Sequence, residues 1–347
     1  MKNRLPSLLL TSFLLIASSV CWAASCSNAQ QSAPPKNSKK ILLLHSYHKE
    51  YPWVAAITAG VHKALAGQDI ILNTFYMGTK RNPSYAWKVR SGEAARKMVD
   101  DWKPDAVIAA DDDAQIFVTQ YYANRKPWFV FCGVNGDPAD YNLPARNVTG
   151  IIERPFFSES LAYLKQILRN SSRIIKILAV ISDTGLTSIG ALTFMRSEAK
   201  HAGVTVLGYH LIDSYTLWQK RIEEYNKIEA LAVCIYTYHT IKRTGDQTSM
   251  EPQEVLQWTV ANSIMPTVGF LDFAIEDGLL CGVVESGEEH GYEAALMALE
   301  LLRGKDIKSL PVKRAGKGLK MINLKTAERL GISVPEDVIK TADRVIR

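Results

Sequence analysis

The stretch His45–Trp53, with the sequence HSYHKEYPW, collects side chains that could do chemistry directly after the apolar run Ile41–Leu44. It holds two histidines, three aromatic rings and a carboxylate. Such a set could bind a metal, transfer protons or line a ligand pocket. A zinc site would need a third ligand and a fixed spacing between His45 and His48, which a loop leaving a strand does not promise. We therefore expect no metal here.

Polar side chains also follow the other predicted strands. In open parallel sheets, ligands bind beyond the carboxyl ends of the strands. The candidate ligand-binding residues at these ends are His45, Ser46, Tyr47, Asp111, Asp112, Asn135, Ser182, Thr184, Tyr236, Asp272 and Glu285, with Trp53 close to the first strand end. Hydroxyls, carboxylates, amides and rings together suit a small polar ligand, and we expect them to converge on one cavity.

Some of these polar residues also have a purely structural explanation. Asp113 could cap a helix beginning at Ala114, and we expect this in preference to a ligand role. Ser182 and Thr184 could cap the helix near Ser188. That capping could occur alone or together with capture of an anion at the helix N-terminus. The sequence leaves these two alternatives open.

Two series of alternating strands and helices would have to position these residues. The predicted strands are Lys40–His45, Ile70–Tyr76, Ala106–Ala110 and Trp128–Cys132, then Lys176–Ile181, Thr205–His210, Ala230–Tyr236, Thr267–Leu271 and Cys281–Val284. The predicted helices carry Val54 to Leu65, Ala95 to Trp102, Ser188–Ala202 (Ile189, Leu192, Met195 and Ala199 inward), Leu217–Lys227, Glu251–Ser263 and Gly291–Arg303. Continuous apolar strands separated by helices predict parallel sheets covered on both faces.

The charges and the cysteines of the sequence argue against a nucleic-acid-binding surface and against a disulfide. A formal charge of +6 arises from basic residues scattered among acidic ones, which argues against a nucleic-acid-binding face. Cys132, Cys234 and Cys281 lie in apolar runs without CxxC spacing, so buried free thiols are expected in preference to a disulfide.

Catalytic motifs are missing as well. The sequence has no GxSxG elbow, no HExxH, no phosphate-binding loop followed by Lys-Ser/Thr, and no GxGxxG after the first strand. The run Asp111–Asp113 lacks a supporting nucleophile or base signature. An enzyme remains an alternative, but we expect none and no cofactor.

The first residues predict export. Two basic residues precede the apolar run Leu8–Ala17, which is too short to cross a bilayer, and small residues follow. Residues 1–23 are therefore predicted to be a signal peptide. Alternatively the signal extends to residue 25 and Cys26 carries a lipid, with the polar segment 24–39 as its tether. In both cases the protein would be periplasmic, and only a lipid anchor would attach it to the membrane.

Several segments together resemble the ABC-transporter substrate-binding protein family. They are ILLLHSYHKEYPW, ADDDAQIFV with FVFCGVN downstream, GLLCGVVESGEEHGYEAALMALELLRGKDIKSLPV and INLKTAERLGISVPEDVI. They are similar to the branch related to tryptophan/tyrosine-binding proteins, and also to the periplasmic sensor portions of bacterial histidine kinases. The resemblance runs from about Lys40 to the C-terminus.

The resemblance implies an α/β fold of the type I periplasmic-binding-protein kind, with two Rossmann-like lobes of parallel sheets joined by hinge crossings. Lobe one would comprise residues 40–149 plus 281–308, and lobe two residues 150–280 plus 309–347. His45, Ser46 and Tyr47 would line the cleft from lobe one, with Trp53 close to its rim. The pair Asp111–Asp112 departs from the aromatic amino-acid binders and is closer to the sensor-like branch.

The implied function is non-enzymatic capture of a small molecule for an ABC importer, whose permease and ATPase would be other chains. The alternative is a sensing module that signals to a membrane histidine kinase. The ligand is expected to carry an amine and an apolar or aromatic body. The rings are those of Tyr47, Trp53, Tyr236 and Phe270, and the negative charges those of Asp111, Asp112 and Asp272. A helix N-terminus with Ser182 and Thr184 could hold a carboxylate of the ligand.

Overall fold

Residues 38–347, apart from Ala202, Thr244, Gln247 and Lys317, are described by a computed structural model of the chain. The features predicted for the N-terminus lie outside the described residues. They are the signal peptide with both of its alternative ends, Cys26 and nearly all of the tether. Among the helices of the described part, none is both long and apolar enough to span a membrane.

The first of two sheets begins with the apolar run that precedes the HSYHKEYPW stretch. Its strands are β1 (Lys39–His45), β2 (Ile70–Tyr76), β3 (Ala106–Ala110), β4 (Trp128–Val134), β5 (Val148–Ile152) and β11 (Lys313–Arg314). They pair in the order β11-β5-β4-β3-β1-β2, all in parallel. Because Ile41–Leu44 face helices on both sides of the sheet, all four residues are fully buried.

Helices cover both faces of this sheet and complete the first lobe. They are α1 (Pro52–Leu65), α2 (Tyr85–Trp102), α3 (Asp111–Phe117) and α9 (Gly287–Leu302). The apolar stripe of α1 packs with α9 on one face, while Ala95 and Val99 of α2 pack on the other. Short 3-10 turns at Thr119–Tyr122, Pro138–Tyr141 and Ile307–Ser309 connect these elements.

The second sheet repeats this plan in the later part of the chain. Its strands are β6 (Ile177–Ser182), β7 (Thr205–Leu211), β8 (Leu231–Ile235), β9 (Thr267–Gly269), β10 (Cys281–Val284), β12 (Leu319–Asn323) and β13 (Arg344–Ile346). Its strands pair in the order β13-β12-β10-β9-β8-β6-β7. Strands β10 and β12 are antiparallel, and the other neighbouring strands are parallel. The helices of this second lobe are α4 (Phe157–Leu168), α5 (Leu186–His201), α6 (Tyr215–Tyr225), α7 (Pro252–Asn262), α8 (Asp272–Glu276), α10 (Leu324–Arg329) and α11 (Glu336–Lys340).

The chain crosses between the lobes three times: after β5, between β10 and α9, and between β11 and β12. This differs from the lobe boundaries expected from the sequence. Strand β10, expected in lobe one, pairs with β9 and β12 in the second sheet. Strand β11, expected in lobe two, pairs with β5 in the first. An apolar strand fits either sheet equally well, so its sequence alone does not say which sheet it joins.

Two further details of the packing bear on the sequence predictions. Ile189, expected on the inner face of α5, is 46% exposed, whereas Leu192, Met195 and Ala199 are buried. The buried face of α5 is completed by Thr187 and Ser188, two polar residues that a search for apolar periodicity passes over. Cys132, Cys234 and Cys281 are buried free thiols, as the sequence predicts.

Helices α1 and α9 approach each other closely enough that both need glycine at the contact. A Cβ atom on Gly60 would overlap the carbonyl oxygen of Glu288, and one on Gly291 would overlap that of Ile57. Backbone atoms cannot move aside as a flexible side chain can. This close helix–helix contact therefore fixes the position of α9. Helix α9 directly follows one of the three chain crossings between the lobes.

We predict that Gly60→Ala lowers the free energy of unfolding by about 1–3 kcal/mol, because overpacking outweighs the gain in helix propensity of up to about 1 kcal/mol. Urea denaturation followed by circular dichroism measures the change. Ala59→Ser, at the exposed neighbouring position, is the control and should stay within about 0.5 kcal/mol of wild type. A Gly60→Ala protein as stable as wild type would mean that the two helices can separate freely.

Candidate functional site

Strand-end side chains from both sheets meet in a cleft between the lobes. The hydroxyl of Tyr47, after β1, lies 2.6 Å from Oγ1 of Thr187 at the start of α5. Thr187 in turn donates a hydrogen bond of 3.2 Å to Oδ2 of Asp112. The hydroxyl of Tyr236, after β8, lies 3.0 Å from Oδ1 of Asn135, after β4. These contacts join the lobes through polar groups.

Asp112 is held by the protein itself. Its carboxylate accepts hydrogen bonds from the backbone N–H of Asn135 (3.3 Å) and Gly136 (2.8 Å) and from the hydroxyl of Tyr141 (2.9 Å), besides that of Thr187. Burial raises the pKa of Asp112, and the Gly136, Tyr141 and Asn135 hydrogen bonds oppose that rise. With four donors in place, this side chain is occupied in bridging the lobes.

Asp111 has a different environment from its neighbour. It begins α3 with a left-handed backbone (φ 69°), and Nε1 of Trp53 donates 3.0 Å to its Oδ1. Its Oδ2 is buried and has no hydrogen-bond partner among the described residues. Burial raises the pKa of Asp111 well above its usual value, and the charges of Glu153 and Asp112 add to the rise.

Trp53 was expected close to the rim of the cleft, but the side chain is only 2% exposed. It is the second residue of α1, a position that turns its ring inward towards α9. There the ring packs against His290, with centroids 5.5 Å apart, while its N–H anchors Asp111. Trp53 therefore belongs to the floor of the cleft.

Two glutamates lie at the inter-lobe crossings. Glu285 follows β10 and its Oε2 lies 3.2 Å from Nε2 of His290, while its buried Oε1 has no partner among the described residues. Burial alone would lower the pKa of His290, but the hydrogen bond and charge of Glu285 raise it. Glu153 follows β5 and lies 2.6 Å from the hydroxyl of Tyr236. Burial is the main cause that raises the pKa of Glu153 to about 7.

Aromatic rings form one wall of the cleft. Tyr51 packs edge-on against Tyr47, His239 and Phe273 at centroid distances of 5.3, 4.7 and 5.5 Å. Nζ of Lys80, which follows β2, lies 4.7 Å from the ring centroid of Tyr47 and 5.3 Å from that of Tyr51. This is a cation–π arrangement, and the lysine is almost completely buried.

Four members of this wall were not predicted from the sequence: Tyr51, Lys80, His239 and Phe273. Two of them had a visible signal, since Tyr51 lies within the HSYHKEYPW stretch and Phe273 directly follows the candidate Asp272. Lys80 follows a predicted strand whose end was not considered. His239 lies three residues beyond Tyr236 in a loop, and no periodicity marks it.

Asp183 organises the loop between β6 and α5. Its oxygens accept from the backbone N–H of Gly185, His239 and Thr240 and from the hydroxyl of Ser188. Burial alone would raise the pKa of Asp183, but the charge of Lys80 and these hydrogen bonds lower it to about 2. Asp183 is therefore an ionised carboxylate at the start of α5.

Among the described residues, no hydrogen bond joins Ser182 or Thr184 to a backbone N–H of α5, so neither is the expected cap. Ser182 bonds with Ser188 and Thr237 inside the second lobe, and Thr184 is exposed at the edge of the cleft. The prediction for Asp113 is wrong, because α3 begins at Asp111, three residues earlier than predicted, and Asp113 pairs with Lys88 at 2.9 Å.

Ser46 has a structural role at the same helix. Its hydroxyl donates to the carbonyl of Ala110 (2.6 Å) and accepts from the N–H of Ala114 (2.8 Å). The hydroxyl that follows β1 thus joins β3 to α3, a contact between residues far apart in the sequence.

Three other residues singled out in the sequence have partners within their own lobe. Nε2 of His45 lies 3.1 Å from Oγ1 of Thr58 in α1, and its ring stacks on Tyr76; burial lowers the pKa of His45 to about 3. Asp272 accepts a hydrogen bond from the N–H of Phe273, and burial raises its pKa. Phe270 is a core residue packed on Phe157. Across the described residues, no group of three or more His, Cys, Asp or Glu is arranged to hold a metal ion.

A cavity of about 110 Å³ remains between the lobes beside the aromatic wall. Sites for small organic molecules usually measure about 300–1,000 Å³. Because hydrogen bonds of Tyr47 with Thr187 and of Tyr236 with Asn135 join the lobes, the described arrangement is a closed one. A molecule of that size could enter the cavity beside the aromatic wall only if the lobes moved apart.

Comparison with solved structures gives the same two-lobed fold. The structure of an ABC domain in complex with L-Trp from Streptococcus pneumoniae matches with a TM-score of 0.68 and 19% identity, covering 89% of this chain and 100% of that one. A conserved domain protein from Vibrio cholerae matches with a TM-score of 0.68, 17% identity and the same coverage. A ligand-free, open substrate-binding protein with adhesive properties from Clostridium difficile matches with a TM-score of 0.61 and 17% identity, covering 89% and 99%.

A sequence search of curated proteins finds no significant match. The sequence profile of the family described as ABC transporter substrate binding protein, in contrast, matches residues 50–346. That range includes all three crossings and every strand of the two sheets except β1. The chain therefore belongs to the ABC transporter substrate-binding protein family, with the two-lobed α/β fold of type I periplasmic-binding proteins.

Proposed function

We propose that the protein captures a small amine-bearing molecule between its lobes, as the periplasmic binding component of an ABC import system. The observation that carries this proposal is the pair of buried, unpartnered oxygens at the floor of the cleft, Oδ2 of Asp111 and Oε1 of Glu285. A buried acceptor without a donor costs about 1–3 kcal/mol, and more when it is charged. The ammonium group of a ligand offers three N–H donors and a positive charge, which would satisfy both oxygens.

The aromatic wall supports the same class of ligand. Aromatic faces attract cations and also bury flat apolar groups. Lys80, which belongs to the chain itself, already places an ammonium against the rings of Tyr47 and Tyr51. Phe273 and His239 extend the wall, and burial keeps the pKa of His239 well below its usual value, so that its ring is uncharged. An amine with an aromatic or aliphatic body would match this combination.

The contacts between the lobes are of a kind that would allow the lobes to open and close. The bridging contacts of Tyr47 with Thr187 and of Tyr236 with Asn135 are hydrogen bonds, which water can replace when the lobes part. A ligand bound to both lobes would shift the balance to the closed form. The closed form would then be the one recognised by a permease and its ATPase on other chains.

A sensing role is the second candidate, and its motivation is the Asp111–Asp112 pair, which resembles the sensor-like branch of the family. The same cleft and closure would then signal to a membrane histidine kinase. Gene neighbours distinguish the two roles: permease and ATPase genes indicate import, and a kinase gene indicates sensing.

We predict that the purified protein is stabilised against heat by at least one amine in a panel of amino acids, amines, nucleosides, sugars and oxyanions. Asp111→Asn should weaken binding of that amine about 10- to 100-fold, because a charge-assisted hydrogen bond is worth about 1.5–3 kcal/mol. Isothermal titration calorimetry gives the affinities. Asp101→Asn, the same change at an exposed position of α2, is the matched control and should bind as wild type does. Stabilisation by sugars or oxyanions with none by any amine would rule out the proposed ligand class.

A second prediction concerns Glu153, whose carboxyl lies between the lobes. The usual pKa of about 4.5 applies to the unfolded chain and about 7 to the folded one, so the folded protein binds the extra proton between these values. The stability contributed by that proton is complete below about pH 4.5 and is lost as the pH rises through about 7. Glu153→Gln, which keeps the neutral shape, should therefore gain on the order of 1–3 kcal/mol over wild type between pH 5 and pH 8.

Chemical denaturation at both pH values measures this difference. Glu229→Gln, at an exposed position, serves as the control and should show no pH-dependent gain. If Glu153→Gln and wild type lost stability equally over this range, the Glu153 carboxyl would titrate as an ordinary surface acid.

A further inference from the structure

We propose that the base of the first lobe is a docking surface for the anionic phospholipids of a membrane. The base is the edge of the first sheet at which its strands begin, together with the helix ends beside it: residues 38–40, 68–71, 101–106, 124–128, 144–148 and 302–312. The cleft lies at the opposite edge, where the strands end. Docking at the base is therefore independent of the ligand in the cleft.

The base concentrates the positive charge of the protein. The chain has a formal charge of +6, and the three charged residues of its first 37, Lys2, Arg4 and Lys36, account for half of it. Residues 38–347 therefore carry +3, whereas the base alone has nine basic and four acidic side chains. The rest of the folded chain is slightly negative. The basic side chains of the base are those of Lys39, Lys40, Lys103, Arg125, Lys126, Arg146, Arg303, Lys305 and Lys308.

Most of these cations are not neutralised by the protein. Lys39 pairs with Asp105 at 3.5 Å, and Lys305 pairs with Glu300 at 3.0 Å. Within the part of the chain that the structure describes, no carboxylate lies within ion-pair distance of the other seven. These residues come from segments far apart in the sequence, so their clustering appears only in the folded chain.

Helix ends explain part of this charge. Lys103 follows α2, and Arg303 and Lys305 follow α9, where the negative end of a helix dipole attracts cations. The other six basic residues lie at or before the starts of strands, and sheets have only small net dipoles. Their charges are therefore not required by the secondary structure and are available to an anionic partner.

Two tryptophans among these cations favour a membrane as that partner. Nζ of Lys40 lies 5.5 Å from the ring centroid of Trp102, and Nζ of Lys126 lies 3.5 Å from that of Trp128. Both indole rings are half-buried at the base. Tryptophan is enriched at membrane–water interfaces, because its ring is apolar while its N–H is polar. A soluble polyanion would need only the charges and not the rings.

The chain enters the described structure at this same face. Ser38 directly precedes β1, and its hydroxyl donates a hydrogen bond of 2.5 Å to Asp69 of the base. Ser38 is twelve positions beyond Cys26, a distance that a chain can span with at most about 40 Å. If Cys26 carries a lipid, the base is the face held near the bilayer. A basic surface adds to the membrane binding of a lipid anchor.

Docking by the base would turn the cleft away from the membrane, since the strands of the first sheet run from the base to the cleft. The cleft would then be open to molecules arriving from solution. Attraction between the basic residues and the lipid surface is screened within about 10 Å at moderate salt, so the contact is reversible. The protein could therefore leave this orientation to meet a membrane partner.

Co-sedimentation with lipid vesicles tests the docking surface. The mature protein carrying Cys26→Ser cannot receive a lipid, so any binding must come from its surface. We expect it to bind vesicles of equal parts phosphatidylglycerol and phosphatidylcholine at least tenfold more tightly than vesicles of phosphatidylcholine alone. Raising the salt concentration from about 0.05 M to about 0.5 M should remove most of this binding, because screening becomes stronger.

A triple variant in the same protein assigns the binding to the base. It removes three exposed cations and should weaken binding to the anionic vesicles about 100-fold, since each basic residue near such a surface contributes about fivefold. Its substitutions are Lys103→Gln, Arg146→Gln and Lys308→Gln. Far-UV circular dichroism and the melting temperature show that the variant folds.

The matched control makes the same change of charge on the second lobe. It replaces three exposed lysines before the strands β6, β7 and β8, and it should bind the anionic vesicles within about threefold of the parent protein. Its substitutions are Lys176→Gln, Lys200→Gln and Lys227→Gln. Equal losses in the two triple variants would show that net charge alone drives binding, and the base would not be a docking surface.

Three further outcomes would overturn the docking surface. They are absence of binding to anionic vesicles, equal binding to neutral vesicles, and binding to soluble heparin as tight as to the anionic vesicles. The last would show a general polyanion-binding surface. None of them bears on the amine site of the cleft, which the calorimetric titrations test separately.

Discussion

The closed arrangement of the two lobes depends on the hydrogen bonds that protein groups donate to one buried carboxylate, that of Asp112. Three of its donors come from the first lobe and the fourth, Thr187, from the second. Thr187 also contacts Tyr47, so the carboxylate, the two hydroxyls and the start of α5 form one chain of hydrogen bonds across the cleft. The bond between the two hydroxyls is worth about 0.5–1.5 kcal/mol net and each bond to the carboxylate at most about 3 kcal/mol, because water competes for the same groups. Closure by such contacts is reversible, which a binding protein requires.

The buried carboxylates at the floor of the cleft, in contrast, disfavour closure of the lobes. Asp111, Glu153 and Glu285 are all buried, and two of them lie directly at inter-lobe crossings. Burying carboxylates raises the free energy of the closed form unless each is protonated or given a donor. Trp53 supplies one donor to Asp111 and Tyr236 contacts Glu153, but one oxygen each of Asp111 and Glu285 is left over. A cation placed between the lobes would remove part of this cost, so its binding energy and lobe closure would be coupled.

The sequence predicts the framework of this site better than its interior. Strands such as Ile70–Tyr76 and Ala106–Ala110 end where predicted, because uninterrupted apolar runs bounded by polar residues leave little freedom. Which sheet a strand joins is a tertiary property, and β10 was therefore placed in the wrong lobe. Predictions of side-chain roles were wrong for a similar reason. Asp113 has the sequence context of a helix cap, but in the folded chain it pairs with Lys88 from another helix. Lys80 could not be recognised, since only the folded chain brings it against Tyr47 and Tyr51.

Lys80 also limits what can share the cleft with it. A ligand ammonium at Asp111 would bring a second positive charge near that of Lys80, and like charges about 6 Å apart repel by about 3 kcal/mol at an effective dielectric constant of 20. Asp183 offsets part of this repulsion, because its ionised carboxylate and the charge of Lys80 attract each other. A simple amine would therefore lose part of what it gains from the carboxylate floor. A ligand that also carried an anion towards Lys80 would turn the same repulsion into attraction, so this buried lysine bears on the net charge of any ligand that the cleft could hold.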